Sequence, residues 1–355
     1  MAEDELTSGA SMATVMGSPL IHVGYHKTAT TWLQKHVFPK ADLGFGMVDR
    51  QIVHKELFAP YPLEYDMQLC RVTLQRRVEE IQRLNCYPVI SHEPLSGHPH
   101  SGGWNCKEMA ERLAALFPSS RILIVIREQR SAILSSYRQY VKVGGTASLE
   151  RYVFPPERWS AVIPLFRFDY FKYHYLIEHY QKLFGKDQVL VLPYELFSTN
   201  PNEFVAEIVK FAQVAVEGGA LAKLPFHQRE NTAPSTFAAA VKRRLNFLYP
   251  VQSRKRSKLH EIRKRFVDET SRLLGAACPR ALGDALYRRQ WEFVDAVAHG
   301  LYEESNARVA AVCRLDLAAY GYRLKNEANR RSGVVPVREE HAGQASDNVL
   351  LRTNV

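Results

Sequence analysis

The residues best suited to hold an anion stand near the start of the chain, in Gly24-Tyr25-His26-Lys27-Thr28-Ala29-Thr30-Thr31. They lie between the apolar run Leu20–Val23 and a helical pattern that opens with Trp32. A loop of glycine, lysine and hydroxyl residues between a strand and a helix turns backbone N–H groups toward an anion, and the helix dipole favours the negative charge. Lys27 adds a mobile cation, and Thr30 and Thr31 add donors. The plainer alternative is a tight turn that holds lysine and threonine by chance. The loop is not a Walker A pattern, which needs glycine immediately before the lysine and another five residues earlier. His26 and Ile21 occupy those places. Thr28 follows Lys27 where a magnesium-binding hydroxyl would stand, but no strand clearly ends in a magnesium-binding aspartate.

Arg127 closes a second apolar run, Arg121–Ile126, and Ser135 follows it by eight residues, two turns into a helical pattern. An arginine at the carboxyl end of a strand stands where open α/β sheets bind ligands. Its planar fork suits a phosphate, and Ser135 offers a second donor. A surface salt bridge is the plainer use of such an arginine; beside the Lys27 loop, a second phosphate is the better one. A third run, Tyr87–Ile90, ends in Ser91-His92-Glu93-Pro94-Leu95. Either His92 or Glu93 could take a proton as a general base, or bond a carbonyl or an arginine instead. A fourth run, Gln188–Leu192, leads into Pro193-Tyr194-Glu195-Leu196, where Tyr194 is a nucleotide contact or a core tyrosine.

These loops need a frame. The four apolar runs read as buried strands, and helical patterns follow at Cys70–Leu84, Lys107–Phe117, Arg130–Val141, Tyr170–Phe184 and Asn202–Phe211. Strands alternating with helices predict an α/β fold with a parallel sheet flanked by helices. From about residue 235 only helices are expected, at Phe237–Leu248, Lys258–Leu274, Trp291–Leu301 and Ala307–Tyr320, as a helical C-terminal extension. Residues 1–18 and 326–355 have no clear period and are expected to be disordered, leaving 19–325 as the folded domain.

GYHKTATTWLQ resembles the 5′-phosphosulfate loop of sulfotransferases that use 3′-phosphoadenosine 5′-phosphosulfate (PAPS), whose common form is K-[ST]-G-T-T-W-[LV]. Ala29 stands where that family usually has glycine. The resemblance implies a P-loop-type sheet. In it the loop from Gly24 through Ala29 surrounds the phosphosulfate, Lys27, Thr28, Thr30 and Thr31 hold it, and Trp32 stacks on adenine. Arg127 and Ser135 match the spacing of the 3′-phosphate element R-[ND]-P-x-[DE]-x-x-x-S, with Glu128-Gln129 in place of the polar-proline pair. His92 falls where small-molecule members carry the histidine of T-H-L-P, and Glu93 where bacterial and carbohydrate-type members carry the glutamate of S-x-E. The Y-E-D-L segment implies Tyr194 beside adenine, and an R-x-N stretch implies Arg229 over the 3′-phosphate. The resemblance covers residues 20–235. It implies in-line transfer of a sulfuryl group from PAPS to an acceptor hydroxyl or amine, without a metal, with a carbohydrate or glycolipid as acceptor.

Composition sets the outer bounds. With 46% hydrophobic and 24% charged residues the chain is ordinary globular protein. Its five cysteines are odd in number and form no C-x-x-C, which argues against a disulfide framework and fits a reducing compartment. The first twenty residues lack the apolar core of a signal peptide, and no run is long enough to span a membrane. A cytoplasmic protein, at most peripheral to a membrane, is expected. The net charge of +10 is concentrated in residues 242–266, where ten lysines and arginines face one acid, Glu261. A solvated helix face is the plain explanation; an anionic membrane surface or ligand is the functional one, with Leu245, Phe247, Leu248 and Tyr249 suited to lipid. Aromatic interleaving for nucleic acid is poor. An ATP-dependent phosphotransferase and a non-catalytic nucleotide-binding protein stand as alternatives, and the sequence leaves the oligomeric state open.

Overall fold

The computed structural model describes residues 18–156, 165–228, 235–248, 258–313 and 315–325. The chain opens with β1 (Leu20–Gly24), α1 (Thr30–His36), β2 (Phe45–Met47) and α2 (Arg50–Val53), which continues as a π turn over His54–Phe58. Then follow α3 (Met67–Gln82), β3 (Tyr87–Ser91), α4 (Cys106–Leu116), β4 (Arg121–Ile126), α5 (Gln129–Lys142) and α6 (Leu149–Val153). The sheet is completed by α7 (His174–Phe184), β5 (Val189–Pro193), α8 (Tyr194–Thr199) and α9 (Pro201–Ala212). The helical extension contains α10 (Thr236–Leu245), α11 (Lys258–Ala277), α12 (Arg280–Val297) and α13 (Glu303–Ala310).

The five strands among the described residues are all parallel, in the order β2-β3-β1-β4-β5. Parallel strands buried on both faces read as near-continuous apolar runs, as RILIVI does after Arg121 and LIHVG does apart from His22. Alternate residues of β4 serve opposite cores. Ile122, Ile124 and Ile126 join Leu113, Ile133 and Ile177 on one side, while Leu123 and Val125 join Leu33, Phe204 and Ile208 on the other. Burying each such side chain stabilises the fold by about 1.5–3 kcal/mol. The chain leaves β1 for one side of the sheet and crosses to β4 on the other, so the carboxyl end of β1 lies at the switch point where open α/β sheets leave a crevice.

Buried polar groups tie this end of the sheet together. The His22 ring shares a hydrogen bond between Nδ1 and Ser91 Oγ at 2.8 Å. Gln34 Nε2 donates to Ser91 Oγ at 2.9 Å, and Arg50 Nη1 donates to Gln34 Oε1 at 2.7 Å. Burial pushes the His22 ring down to about 3, so it is neutral at physiological pH and bonds without a charge to solvate.

The extension packs on the sheet domain through α5, which meets both α10 and α12. Arg130 of α5 bonds Glu128 and also Asp295 of α12, and Arg323 grips the same Asp295 at 2.7 and 2.9 Å. Within the basic stretch, Lys242 is buried and paired with Asp268, and Arg243 donates to the Thr146 carbonyl. Those two cations serve the fold. Residues 254–256 and Tyr249 lie outside the described residues, as do 1–17 and 326–355.

The structure departs from the sequence expectation at a few elements. β2 is an edge strand of three residues with Gly46 at its centre, too short to show alternation. The helix expected at Trp291–Leu301 begins at Arg280, because Pro279 serves as its N-cap and Gly283 faces open space. A 3₁₀ turn, Phe168–Phe171, precedes α7, and the pattern expected to Tyr320 is helical only through Ala310, with a further 3₁₀ turn at Ala318–Tyr320.

Candidate active site

The loop after β1 is shaped by close approach and by backbone strain. A Cβ on Gly24 would stand 2.3 Å from Thr30 Oγ1, so only glycine fits there. Lys27 and Ala29 both take left-handed backbone, with φ of 68° and 63°. A left-handed L-residue costs about 1–2 kcal/mol, which makes Ala29 a strained stand-in for the glycine of the resembling motif. The Thr28 hydroxyl is buried and donates to the Tyr25 carbonyl inside the loop. Thr30 Oγ1 is also buried but has no hydrogen-bond partner among the described residues. Thr31 is half-buried in the first turn of α1.

Arg127 meets this loop directly. Its Nη1 donates to the Lys27 carbonyl at 3.1 Å and reaches Ser135 Oγ at 3.5 Å, while Nε donates to Ser131 Oγ at 3.0 Å. Its guanidinium lies 4.8 Å above the Tyr194 ring. The structure therefore brings Lys27, Arg127, Ser135 and Tyr194 into one cluster. Ser131 completes it and is legible only as the position one turn before Ser135. The turn after β4 dispenses with proline because Glu128 caps α5, accepting from the Arg130 and Ser131 amides. Glu195 Oε1 in turn accepts from the Glu128 amide at 3.0 Å.

Burial holds the Lys27 ammonium below its ordinary range; Lys142 and Arg127 add to that, and Glu93 opposes it. A lysine pressed in this way gains from a bound anion.

Extended backbone at His92 sends it and Glu93 to different surroundings. The His92 ring lies 5.5 Å from His54 and 4.9 Å from Phe58, and burial, with His54 and Arg50, pushes it down to about 4. Glu93 faces the Lys27 loop. Its Oε2 lies 3.8 Å from His26 Nδ1, and its side chain is 38% exposed. Burial, then His98 and His100, hold His26 at about 3, so this is an approach to a neutral ring and no ion pair. The turn carrying Glu93 is fixed to β1 by Ser96, whose hydroxyl donates to the Gly24 carbonyl at 3.2 Å and meets the Tyr170 hydroxyl at 3.2 Å.

Trp32 is placed differently from an open stacking platform. It is 2% exposed, its ring lies on Phe226 at 5.3 Å with 19° between planes, and its N–H points to the Pro225 carbonyl. An adenine reaches this indole only when Phe226 moves. Phe197 lies between Trp32 and Tyr194, with its centroid 4.8 and 6.1 Å away. Arg229 lies outside the described residues. Among the described residues no group of three or more His, Cys, Asp or Glu could hold a metal ion, and no helix is long and apolar enough to cross a membrane.

Residues 93–218 match the model of the Sulfotransferase family. The chain carries a sulfotransferase-family segment. That segment starts at Glu93 and includes Arg127, Ser135 and Tyr194; the Lys27 loop precedes it. Similar solved structures include a sulfotransferase from Alicyclobacillus acidocaldarius, 17% identical, covering 65% of this chain and 95% of that one, with a TM-score of 0.43. Mouse sulfotransferase SULT7A1 complexed with PAP is 16% identical over 58% of this chain and 62% of that one, with a TM-score of 0.33. The sulfotransferase domain from the curacin biosynthetic pathway is 13% identical over 60% and 79%, with a TM-score of 0.38. No curated protein matches the chain.

Proposed function

We propose that the chain transfers a sulfuryl group from PAPS to an acceptor hydroxyl or amine. The observation that carries this is the bond from Arg127 to the Lys27 backbone, which joins two anion-holding elements at one sheet edge. One nucleotide with phosphate at both its 5′ and 3′ positions fits that arrangement. ATP, which lacks a 3′-phosphate, leaves the Arg127–Ser135 pair without a partner.

In this proposal Gly24, Thr28 and Ala29 shape the loop, and Lys27, Thr30 and Thr31 hold the 5′-phosphosulfate. Arg127 and Ser135 hold the 3′-phosphate, Tyr194 lies beside the adenine, and Arg229 closes over the nucleotide. The bond between the sulfur and the bridging phosphate oxygen breaks while a bond from sulfur to the acceptor forms in line. Lys27 neutralises the bridging oxygen as charge develops there, Glu93 takes the acceptor proton, and adenosine 3′,5′-bisphosphate leaves. The acceptor class is a carbohydrate or glycolipid. Trp104, 65% exposed, stands on the loop that follows the Glu93 turn and offers an aromatic face to a sugar ring. Arg244, Arg263 and Arg265, beside exposed Phe247, Ile262 and Phe266, suit an anionic membrane that presents such an acceptor.

Incubation with radiolabelled PAPS tests this against free carbohydrates, phenols, and glycolipids in anionic vesicles. Label should move to an acceptor, with adenosine 3′,5′-bisphosphate as inhibitor. Magnesium-dependent turnover of ATP without preference for a 3′-phosphate would make the chain a phosphotransferase. Tight nucleotide binding with no transfer to any acceptor would make it a binding protein, and absence of vesicle binding at low salt would remove the membrane role.

A further inference from the structure

Ser131, Ser135, Arg138 and Lys142 recur along α5 at intervals of four, three and four residues, which places them on one face of the helix. Arg127 already bonds the two serines. Arg138 is the next polar residue along that face. Its Nε is buried and has no hydrogen-bond partner among the described residues. It joins no ion pair among them either; Glu128 is paired with Arg130, and Asp295 with Arg130 and Arg323. The contact it does make comes from the helical extension: its guanidinium carbon lies 5.4 Å from the ring centre of Tyr287 on α12.

Burial holds the Arg138 charge below its ordinary range; Tyr287, which also hydrogen-bonds the guanidinium, opposes this, and Arg127 adds to it. Arg127 reaches Ser135 Oγ at 3.5 Å and lies near enough to Arg138 to act against its charge, and neither guanidinium joins an ion pair among the described residues. A dianionic phosphate between them relieves the repulsion and gives the orphaned N–H an acceptor.

We infer that Arg138 is a further guanidinium of the 3′-phosphate site and that Tyr287 positions it from α12. This rests on the PAPS reading above, and it gives the helical extension a part in donor recognition.

The test compares the affinities of adenosine 3′,5′-bisphosphate and adenosine 5′-phosphate for the whole protein. Arg138→Gln should weaken the bisphosphate by about 10- to 100-fold and leave the monophosphate unchanged. Tyr287→Leu should weaken the bisphosphate in the same selective way by a smaller factor, and Arg138→Lys should fall between wild type and Arg138→Gln. Circular dichroism and thermal melting verify folding; should Arg138→Gln fail to fold, Arg138→Lys and Tyr287→Leu decide by the same ratio. Equal weakening of both nucleotides, or of neither, overturns the inference. A wild-type protein that does not distinguish the two nucleotides overturns the PAPS reading instead.

Discussion

Lys27→Ala lowers kcat by on the order of 10²–10³-fold while the thermal melt and the circular dichroism stay as in wild type. The magnitude is that of removing one preorganised charge from a developing oxyanion. The fold should survive because Lys27 contributes its carbonyl, which alanine retains, to the bond from Arg127. Its ammonium joins no ion pair among the described residues, and burial, Lys142 and Arg127 act against its charge while Glu93 favours it. Steady-state kinetics with PAPS and an accepted acceptor measures the effect. Activity within threefold of wild type would show that the bridging oxygen is neutralised by another group.

Glu93→Gln lowers kcat by about 10²–10⁴-fold, the range for loss of a positioned base, whereas His92→Asn lowers it by less than about tenfold. Two adjacent residues differ because their side chains serve different surroundings. Glu93 approaches the Lys27 loop through His26, and its turn is fastened to Gly24 by Ser96. His92 packs on His54 and Phe58 instead. Comparing kcat for the two variants at saturating acceptor measures this. A larger loss in His92→Asn would exchange the roles, and equal small losses would remove both residues.

Much of this frame is legible in the chain because parallel strands buried on both faces leave near-continuous apolar runs, and four of the five strands do so. β2 escapes because three residues with a central glycine carry no period. The early part of α12 escapes for the opposite reason: Pro279 and Gly283 look like breaks, yet proline is well placed at a helix start and the glycine faces open space.

Within the site, residue types and spacing point to Lys27, Arg127 and Ser135 and to a His-Glu pair, but leave the direction of each side chain open. Direction separates Glu93 from His92, turns the Thr28 hydroxyl into its own loop, and covers Trp32 with Phe226. Arg138 is illegible for a related reason. An arginine on a helix beside a serine is commonplace, and only the burial of its Nε without a partner, next to Arg127, sets it apart.

The claim that one nucleotide spans both anion sites is tested most directly by calorimetric binding of adenosine 3′,5′-bisphosphate and its two monophosphates to wild type, Lys27→Ala and Arg127→Gln. The expected result is a crossed pattern: Lys27→Ala becomes indifferent to the 5′-phosphate but still prefers the 3′-phosphate, and Arg127→Gln does the reverse. Equal sensitivity of both variants to both phosphates, or wild-type affinity unaffected by the 3′-phosphate, would contradict it.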